Sequence, residues 1–327
     1  MAKKNKRIAA NKKKTLVLLS MVLPGTIWLF LFRYLPMFGI VMAFQDYRIV
    51  KPMKVTVLGH TFKLNNYISN LLSSDFVGFK NFDFLFKAPT TKVMIRNTLG
   101  YNVVFILLGL VISVAFAIML NEITNKFVAK TYQTLMFFPY FLSWVVASYF
   151  VTAFLDPTRG IIPNMMKTNG WQVIDFYNTS KPWPFILTLS NVWKQTGYST
   201  ILYLAAITGI DTSQYEAASI DGASKWQQVK YVTIPHLKTM IIILFIMNVG
   251  KIFNSDFGLF YNVPNNSGLI KDVTETIDTY VFNAIGGTGG NFSMTAAAGL
   301  MQNLIGFICI MVANTIVRKV DEDSALF

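Results

Sequence analysis

The chain has 327 residues and a formal net charge of +13, with 53% hydrophobic and 14% charged residues, and its mean hydropathy is +0.45. That balance is too apolar for an ordinary soluble domain. It also excludes nucleic-acid binding as the reason for the charge, which would need a basic face on a soluble fold; the excess reads as membrane topology and headgroup contact.

Six apolar runs, at 16–44, 99–120, 134–155, 183–210, 239–260 and 291–317, are long enough to cross a hydrocarbon core. Such a core is about 30 Å thick and takes roughly 20 helical residues. Helices satisfy every backbone polar group in lipid, whereas barrel strands would alternate apolar and polar positions. The expected fold class is therefore an all-α polytopic membrane protein with six transmembrane helices.

In chain order, residues 1–15 form a basic cytoplasmic tail: Lys3, Lys4, Lys6, Arg7, Lys12, Lys13 and Lys14 occur with no acid. With an even number of spans, both termini are expected to be cytoplasmic. The first transmembrane helix, 16–44, carries Pro24 and Pro36 and is longer than one crossing, which predicts a kinked or tilted helix. It exceeds a signal-peptide core and no small-x-small cleavage site follows, so it reads as retained. An external cap loop, 45–95, suggests a short strand pair around Val55 to Gly59 and a turn at Val77 to Asn81. Its seven Lys and Arg residues up to Lys92 do not set topology, because long loops translocate largely regardless of charge.

A five-helix core follows over 96–318, ending in a short tail at 319–327. Cytoplasmic connections at 121–133 and 211–238 alternate with external ones at 156–182 and 261–290. Trp171, Tyr177 and Trp183 suit the external interface, and Gly286-Gly287-Thr288-Gly289-Gly290 reads as a flexible external turn. That glycine run lacks the Lys-Ser/Thr of a phosphate loop, and no Walker sequence occurs.

Polar residues in mid-membrane usually face a cavity or a partner helix. Asn191, Lys194, Gln195 and Tyr198 recur on one helical face of the fourth span. Asn248, Lys251 and Ser255 do the same on the fifth, with Asp256 beside them. The other reading of these residues is interhelical glue, with Lys251 pairing Asp256 at a subunit interface. Gln302 and Asn303 on the last span read as glue, and Cys309 as core packing. His60 and His236 stand far apart with no partner ligands or nucleophile–base pair, so neither a metal site nor a catalytic site is expected.

Between the fourth and fifth spans lies Glu216-Ala217-Ala218-Ser219-Ile220-Asp221-Gly222-Ala223, with Pro235 further on. The spacing from Ser213 to Glu216 predicts a capping box, then a helix ended by Gly222 in the left-handed conformation. A second helix over 225–231 precedes Pro235. Such a helix–glycine–helix hairpin presents small side chains and the charges of Glu216 and Asp221 to a partner.

This loop resembles the EAA loop of type I ABC importer permeases. The stretches Phe32-Arg33-Tyr34-Leu35-Pro36-Met37, Phe44-Gln45-Asp46-Tyr47 and Glu275-Thr276-Ile277-Asp278-Thr279-Tyr280 are similar to the carbohydrate-uptake branch, the LplB-like, maltose and alginate permeases. One departure is Val229, where that family often has an aromatic residue.

The resemblance implies a permease subunit in the bacterial cytoplasmic (inner) membrane that forms half of an oligosaccharide pathway. Glu216, Ala217, Ala218, Asp221, Gly222, Ala223 and Pro235 would dock an ATPase. Implied partners are a homologous second permease, two ATPase subunits that bind the ATP and Mg, and an extracellular or periplasmic solute-binding protein. No cofactor is implied for this chain. The sugar would meet the spans on either side of the docking loop, where Asn191, Gln195, Tyr198, Asn248 and Ser255 fall.

If Lys194 and Lys251 both faced the cavity, an acidic oligosaccharide would suit it, although Trp193-Lys194 is also similar to permeases for neutral sugars. An ion-coupled secondary transporter of a small polar solute is the alternative. It predicts inverted repeats and midplane carboxylates, and leaves the docking loop without a purpose.

Overall fold

The structure, a computed structural model, describes residues 2–49, 54–57, 60–63, 66–286 and 291–326. The chain divides into two compact units: residues 1–83 with 291–300, and residues 84–290 with 301–327.

The first unit begins with helix α1 (Ala2–Leu29), which continues through a π turn at Phe30–Tyr34 into a 3-10 segment at Leu35–Phe44. Pro36 stands at the start of that segment. Its missing N–H cannot extend the α-helical ladder, which is why the winding changes there. Strand β1 (Gln45–Asp46) follows, then the antiparallel hairpin of β2 (Lys54–Val57) and β3 (His60–Lys63). Helix α2 (Asn66–Ser73) leads to β4 (Asp75–Phe76), which pairs antiparallel with β1. The strand pair expected near Val55 is thus present, with Leu58 and Gly59 outside the described residues. Asn81 fastens the turn by donating to the Ala43 and Gln45 carbonyls at 3.0 and 2.8 Å, and Phe44 packs on Phe76, Phe79 and Phe82.

The second unit starts with α3 (Phe84–Lys87) and the long α4 (Thr91–Asn121). Helices α5 (Lys126–Phe141), α6 (Trp144–Leu155) and α7 (Ile161–Thr168) lead to α8 (Trp183–Thr208). Next come α9 (Thr212–Ile220), α10 (Lys225–Gln228), a π segment at Val229–Thr233, and α11 (Ile234–Val249). The short helices α12 (Phe257–Asn262), α13 (Lys271–Thr274) and α14 (Ile277–Gly286) precede α15 (Phe292–Val320). The glycine turn expected after Gly286 lies outside the described residues.

Helix α4 packs along α8 more extensively than any other helix pair described. One apolar cluster joins Tyr101, Trp183, Leu187, Leu259 and Phe260. A second joins Ala117, Leu120, Tyr203, Leu204, Ile207 and Leu237. The two therefore grip α4 and α8 at either end and leave a stretch between them. Helix α5 crosses α8 where Gly197 is buried against it; a Cβ there would collide with the Met136 carbonyl.

Two spans differ from the sequence expectation. Residues 134–155 are not one helix: α5 and α6 meet at 101°. Pro139 weakens the end of α5, and Ser143 caps α6 by accepting from the Val146 N–H at 3.3 Å, so the chain turns at Leu142. Residues 239–260 are likewise interrupted. Helix α11 ends at Val249, residues 250–253 form a turn, 254–256 are irregular, and Asp256 caps α12.

By length and apolarity, four helices among the described residues qualify as spans: Lys14–Phe44, Thr91–Asn121, Lys225–Val249 and Phe292–Val320. The bent pair α5–α6 is a fifth candidate. Helix α8 is 26 residues long, but Asn191, Lys194 and Gln195 lower its hydropathy; the expected count of six rests on it.

Candidate functional site

The loop between α8 and α11 is a compact hairpin. Helix α9 is capped by Asp211, whose side chain accepts from the Ser213 N–H at 2.9 Å. Hydrogen bonds from Ser213 hold the Asp211 carboxyl below the ordinary Asp range, so it stays charged at the helix N-terminus. The cap is thus Asp211 and not Ser213, because an aspartate two residues earlier reaches the first free N–H groups.

Gly222 ends α9 with φ +79°. Ala223 N–H donates to Ala218 O and Gly222 N–H to Ser219 O, at 2.9 and 3.1 Å, the paired bonds of a Schellman turn. The capping box belongs to the second helix: Ser224 and Gln227 exchange side-chain and backbone bonds. Buried Gln228 donates to Ser219 Oγ at 2.9 Å, and Tyr215 and Thr233 share a hydroxyl bond at 2.9 Å. Lys225 pairs with Glu122 at 3.1 Å, tying the hairpin to the residue that follows α4.

A cavity of about 530 Å³ lies in the same unit, within the size range of small-molecule sites. Its wall combines Asn191, Gln195 and Tyr198 of α8 with Asn248, Lys251 and Ser255. Asn102 and Phe105 of α4 and Tyr140 of α5 complete that stretch. Tyr140 and Tyr198 stack at 4.7 Å and 14°, giving the wall a flat aromatic panel. The Asn102 amide donates to Ile252 O and Asn254 O, both at 2.9 Å, and so fixes the turn that carries Lys251 and Ser255.

The pattern of binding-protein-dependent transport system inner membrane components matches residues 83–322. The chain belongs to that family. It is 33% identical to the polygalacturonan/rhamnogalacturonan transport system permease protein YteP of Bacillus subtilis (strain 168), over 98% of this chain and 93% of that one. It is 30% identical to Protein LplB of the same organism, over 96% of this chain and 92% of that one. Its fold is similar to the crystal structure of a bacterial ABC transporter involved in import of the acidic polysaccharide alginate. The TM-score is 0.80 at 28% identity, covering 96% of this chain and 99% of that one. The protein is therefore a multi-pass inner-membrane component of a transport system, a permease and not an enzyme. Membership displaces the ion-coupled alternative.

Within the permease, Glu216, Ala217, Asp221 and Gly222 are exposed on the hairpin, Ala218 and Ala223 are half-buried, and Pro235 is exposed at the start of α11. Three large side chains that the sequence reading passed over also stand out from it: Ile220, Trp226 and Tyr231 are 86%, 72% and 66% exposed. Val229, at the departure from the family pattern, is buried where α10 passes into the π segment.

Lys194 is placed otherwise than expected. It is buried and does not line the cavity; its ammonium donates to the Tyr140 carbonyl at 2.9 Å and lies over the Tyr140 and Trp144 rings. It occupies the C-terminal end of α5, where a cation meets free carbonyls. Asp256 does not pair with Lys251. It accepts from Trp144 Nε1 at 2.6 Å and caps α12. Nor do Asn248, Lys251 and Ser255 share a helical face; α11 has ended before Lys251, and the turn brings them to one wall. Ser255 bonds Asp278 through its N–H and its Oγ, both at 2.7 Å. Gln302 is glue: its amide donates to Phe253 O at 2.8 Å and Asp278 at 3.2 Å.

Tyr140, Trp144 and Asn102 were missed. The signal for the first two was available in Pro139 and Ser143, which mark a helix break and bring an aromatic pair to its corner.

Proposed function

We propose that this permease forms half of the translocation pathway for an oligosaccharide and couples through residues 211–238 to a separate ATPase. The observation that carries the pathway is the cavity wall: side-chain amides beside a stacked tyrosine pair. Sugar hydroxyls need amide and hydroxyl partners, and ring faces stack on aromatics. The relatives support the substrate class, since YteP is named for polygalacturonan and rhamnogalacturonan and the structural neighbours import alginate. One of those neighbours is in complex with an alginate-bound periplasmic protein, with a TM-score of 0.79.

In this reading Glu216, Ala217, Ala218, Asp221, Gly222, Ala223 and Pro235 form the docking element, and Ile220 and Trp226 supply its apolar contact. Asn191, Gln195, Tyr198, Asn248, Lys251 and Ser255 line the substrate path. A homologous permease supplies the other half, two ATPase subunits bind the ATP and Mg, and an external binding protein delivers the sugar. Both termini lie in the cytoplasm, as the lysine-rich N-terminal tail favours. Closure of the ATPase pair shifts the hairpin, and the core rocks between inward- and outward-facing states.

Purification of the permease pair from cells that also express the ATPase tests the coupling. The ATPase is expected to co-purify at equal stoichiometry, and its absence counts against docking. Uptake of labelled oligosaccharide by the reconstituted complex tests the substrate class.

A further inference from the structure

The cavity wall is not electrically neutral in what it offers a ligand. Two carboxylates lie at or behind it, and both are engaged by the protein. Asp256 accepts from the Trp144 indole and the Leu259 N–H, and Asp278 accepts from Ser255 and Gln302. The Lys194 ammonium is turned away, buried on the Tyr140 carbonyl. Lys251 differs. It lines the cavity, is exposed, and among the described residues its ammonium has no ion pair or hydrogen bond.

A cation in the membrane interior persists where it meets water, an acid or a ligand. Lys251 sits on a turn that Asn102 fixes from α4, so its backbone is held while the side chain remains available. Around it the wall supplies neutral amides at Asn191, Gln195, Asn248 and Asn254, and the tyrosine panel of Tyr140 and Tyr198. No exposed carboxylate competes for it on the described wall, because the one that lines the cavity, Asp256, is already bonded.

We infer that the cavity selects a negatively charged oligosaccharide, a chain of uronic acid units, and that Lys251 is the residue that reads the sugar carboxylate. This rests on the oligosaccharide pathway proposed above and names its substrate class. The ammonium offers three donors to a carboxylate, a charge-assisted contact that a neutral sugar cannot return. Ring stacking and amide contacts serve neutral and acidic sugars alike, so discrimination on this wall falls to Lys251.

The test uses the reconstituted complex with its binding protein saturating, and two probes of one shape: an oligogalacturonide and its methyl ester. Wild type is expected to import the acid faster than the ester. In Lys251→Gln the acid should fall by about 10- to 100-fold more than the ester, the range of a charge-assisted hydrogen bond. Lys251→Arg keeps the charge and should keep most of the acid uptake, which separates lost recognition from lost assembly. An unchanged acid-to-ester ratio in Lys251→Gln, whether both rates drop or neither does, overturns the inference and makes Lys251 structural. It leaves the oligosaccharide pathway standing. Wild type that imports neither probe nor any neutral oligosaccharide overturns the pathway itself, and the inference with it. Wild type that imports only neutral sugars overturns the inference alone.

Discussion

The docking hairpin and the cavity are built on opposite plans. The hydrogen bonds that shape the hairpin join near neighbours: the Asp211 cap, the Schellman turn at Gly222, the Ser224–Gln227 box, and the Tyr215–Thr233 bond across 18 residues; one ion pair, Lys225 with Glu122, ties it to the end of α4. The cavity is assembled across the chain. Lys194 reaches back 54 residues to Tyr140, Trp144 meets Asp256 across 112, and Asn102 holds Ile252 across 150. A hairpin of local bonds keeps its shape while the core around it changes state. A cavity of distant bonds changes when any of its helices moves, as an alternating pathway requires.

The contrast is broken first at Gly197. A β-branched side chain there meets the Met136 backbone, so Gly197→Val is expected to abolish the folded core. Size-exclusion of detergent extracts should show no monodisperse permease, and a normal yield would refute the close α5–α8 contact.

Gly222→Val should do the converse. A left-handed conformation costs a β-branched residue roughly 1–3 kcal/mol, all of it within the hairpin. Insertion and yield are expected to match wild type while uptake falls at least tenfold. Wild-type uptake in a well-expressed variant would sink the coupling role.

Lys194→Met tests the cavity side. Removing a charge-assisted bond to a buried carbonyl costs about 1.5–3 kcal/mol, so the melting temperature should drop by several degrees. The ATPase should still co-purify in full. Loss of ATPase with an unchanged melting temperature would reverse the proposed division between the two regions.

Glu216→Lys reverses an exposed charge on the proposed docking element. ATPase retained per permease after detergent purification is expected to fall several-fold, with no change in thermal stability. Ser224→Ala is the smallest change. It removes one N-cap, about 1 kcal/mol, and should appear only as faster amide exchange over residues 225–228; protection equal to wild type would mean that the box does not hold α10.

How much of this was readable from the sequence follows the same division. The helix–glycine–helix form of the hairpin was legible because Gly222 and the helices beside it act within one or two turns, but the capping box, expected at Ser213–Glu216, forms at Ser224–Gln227. The first helix's cap fell to Asp211, since a carboxylate and a hydroxyl two residues apart compete for the same N–H groups.

On α8, Asn191, Gln195 and Tyr198 line one cavity together, because an unbroken helix preserves periodicity. Lys194 shares the sequence pattern but not the destination. Its long side chain follows the free carbonyl at the end of α5, and no periodicity encodes where that helix stops. Lys251 and Ser255 reached the predicted wall through a turn instead of a helix. The pattern named residues that line the cavity, but through the wrong geometry.

The helix that leaves the hairpin has a mechanical consequence. From Lys225 to Val249 it is continuous for 25 residues, about 37 Å at 1.5 Å per residue. Its first turn belongs to the docking element, and Asn248, one residue before its last, stands on the cavity wall. A rigid rod of that length amplifies small angles: a tilt of about 5° at the hairpin carries Asn248 by roughly 3 Å, the span of one hydrogen bond. The π segment at Val229–Thr233, beside Pro235, is the one irregular stretch along the rod, and its stiffness sets how much of the stroke arrives.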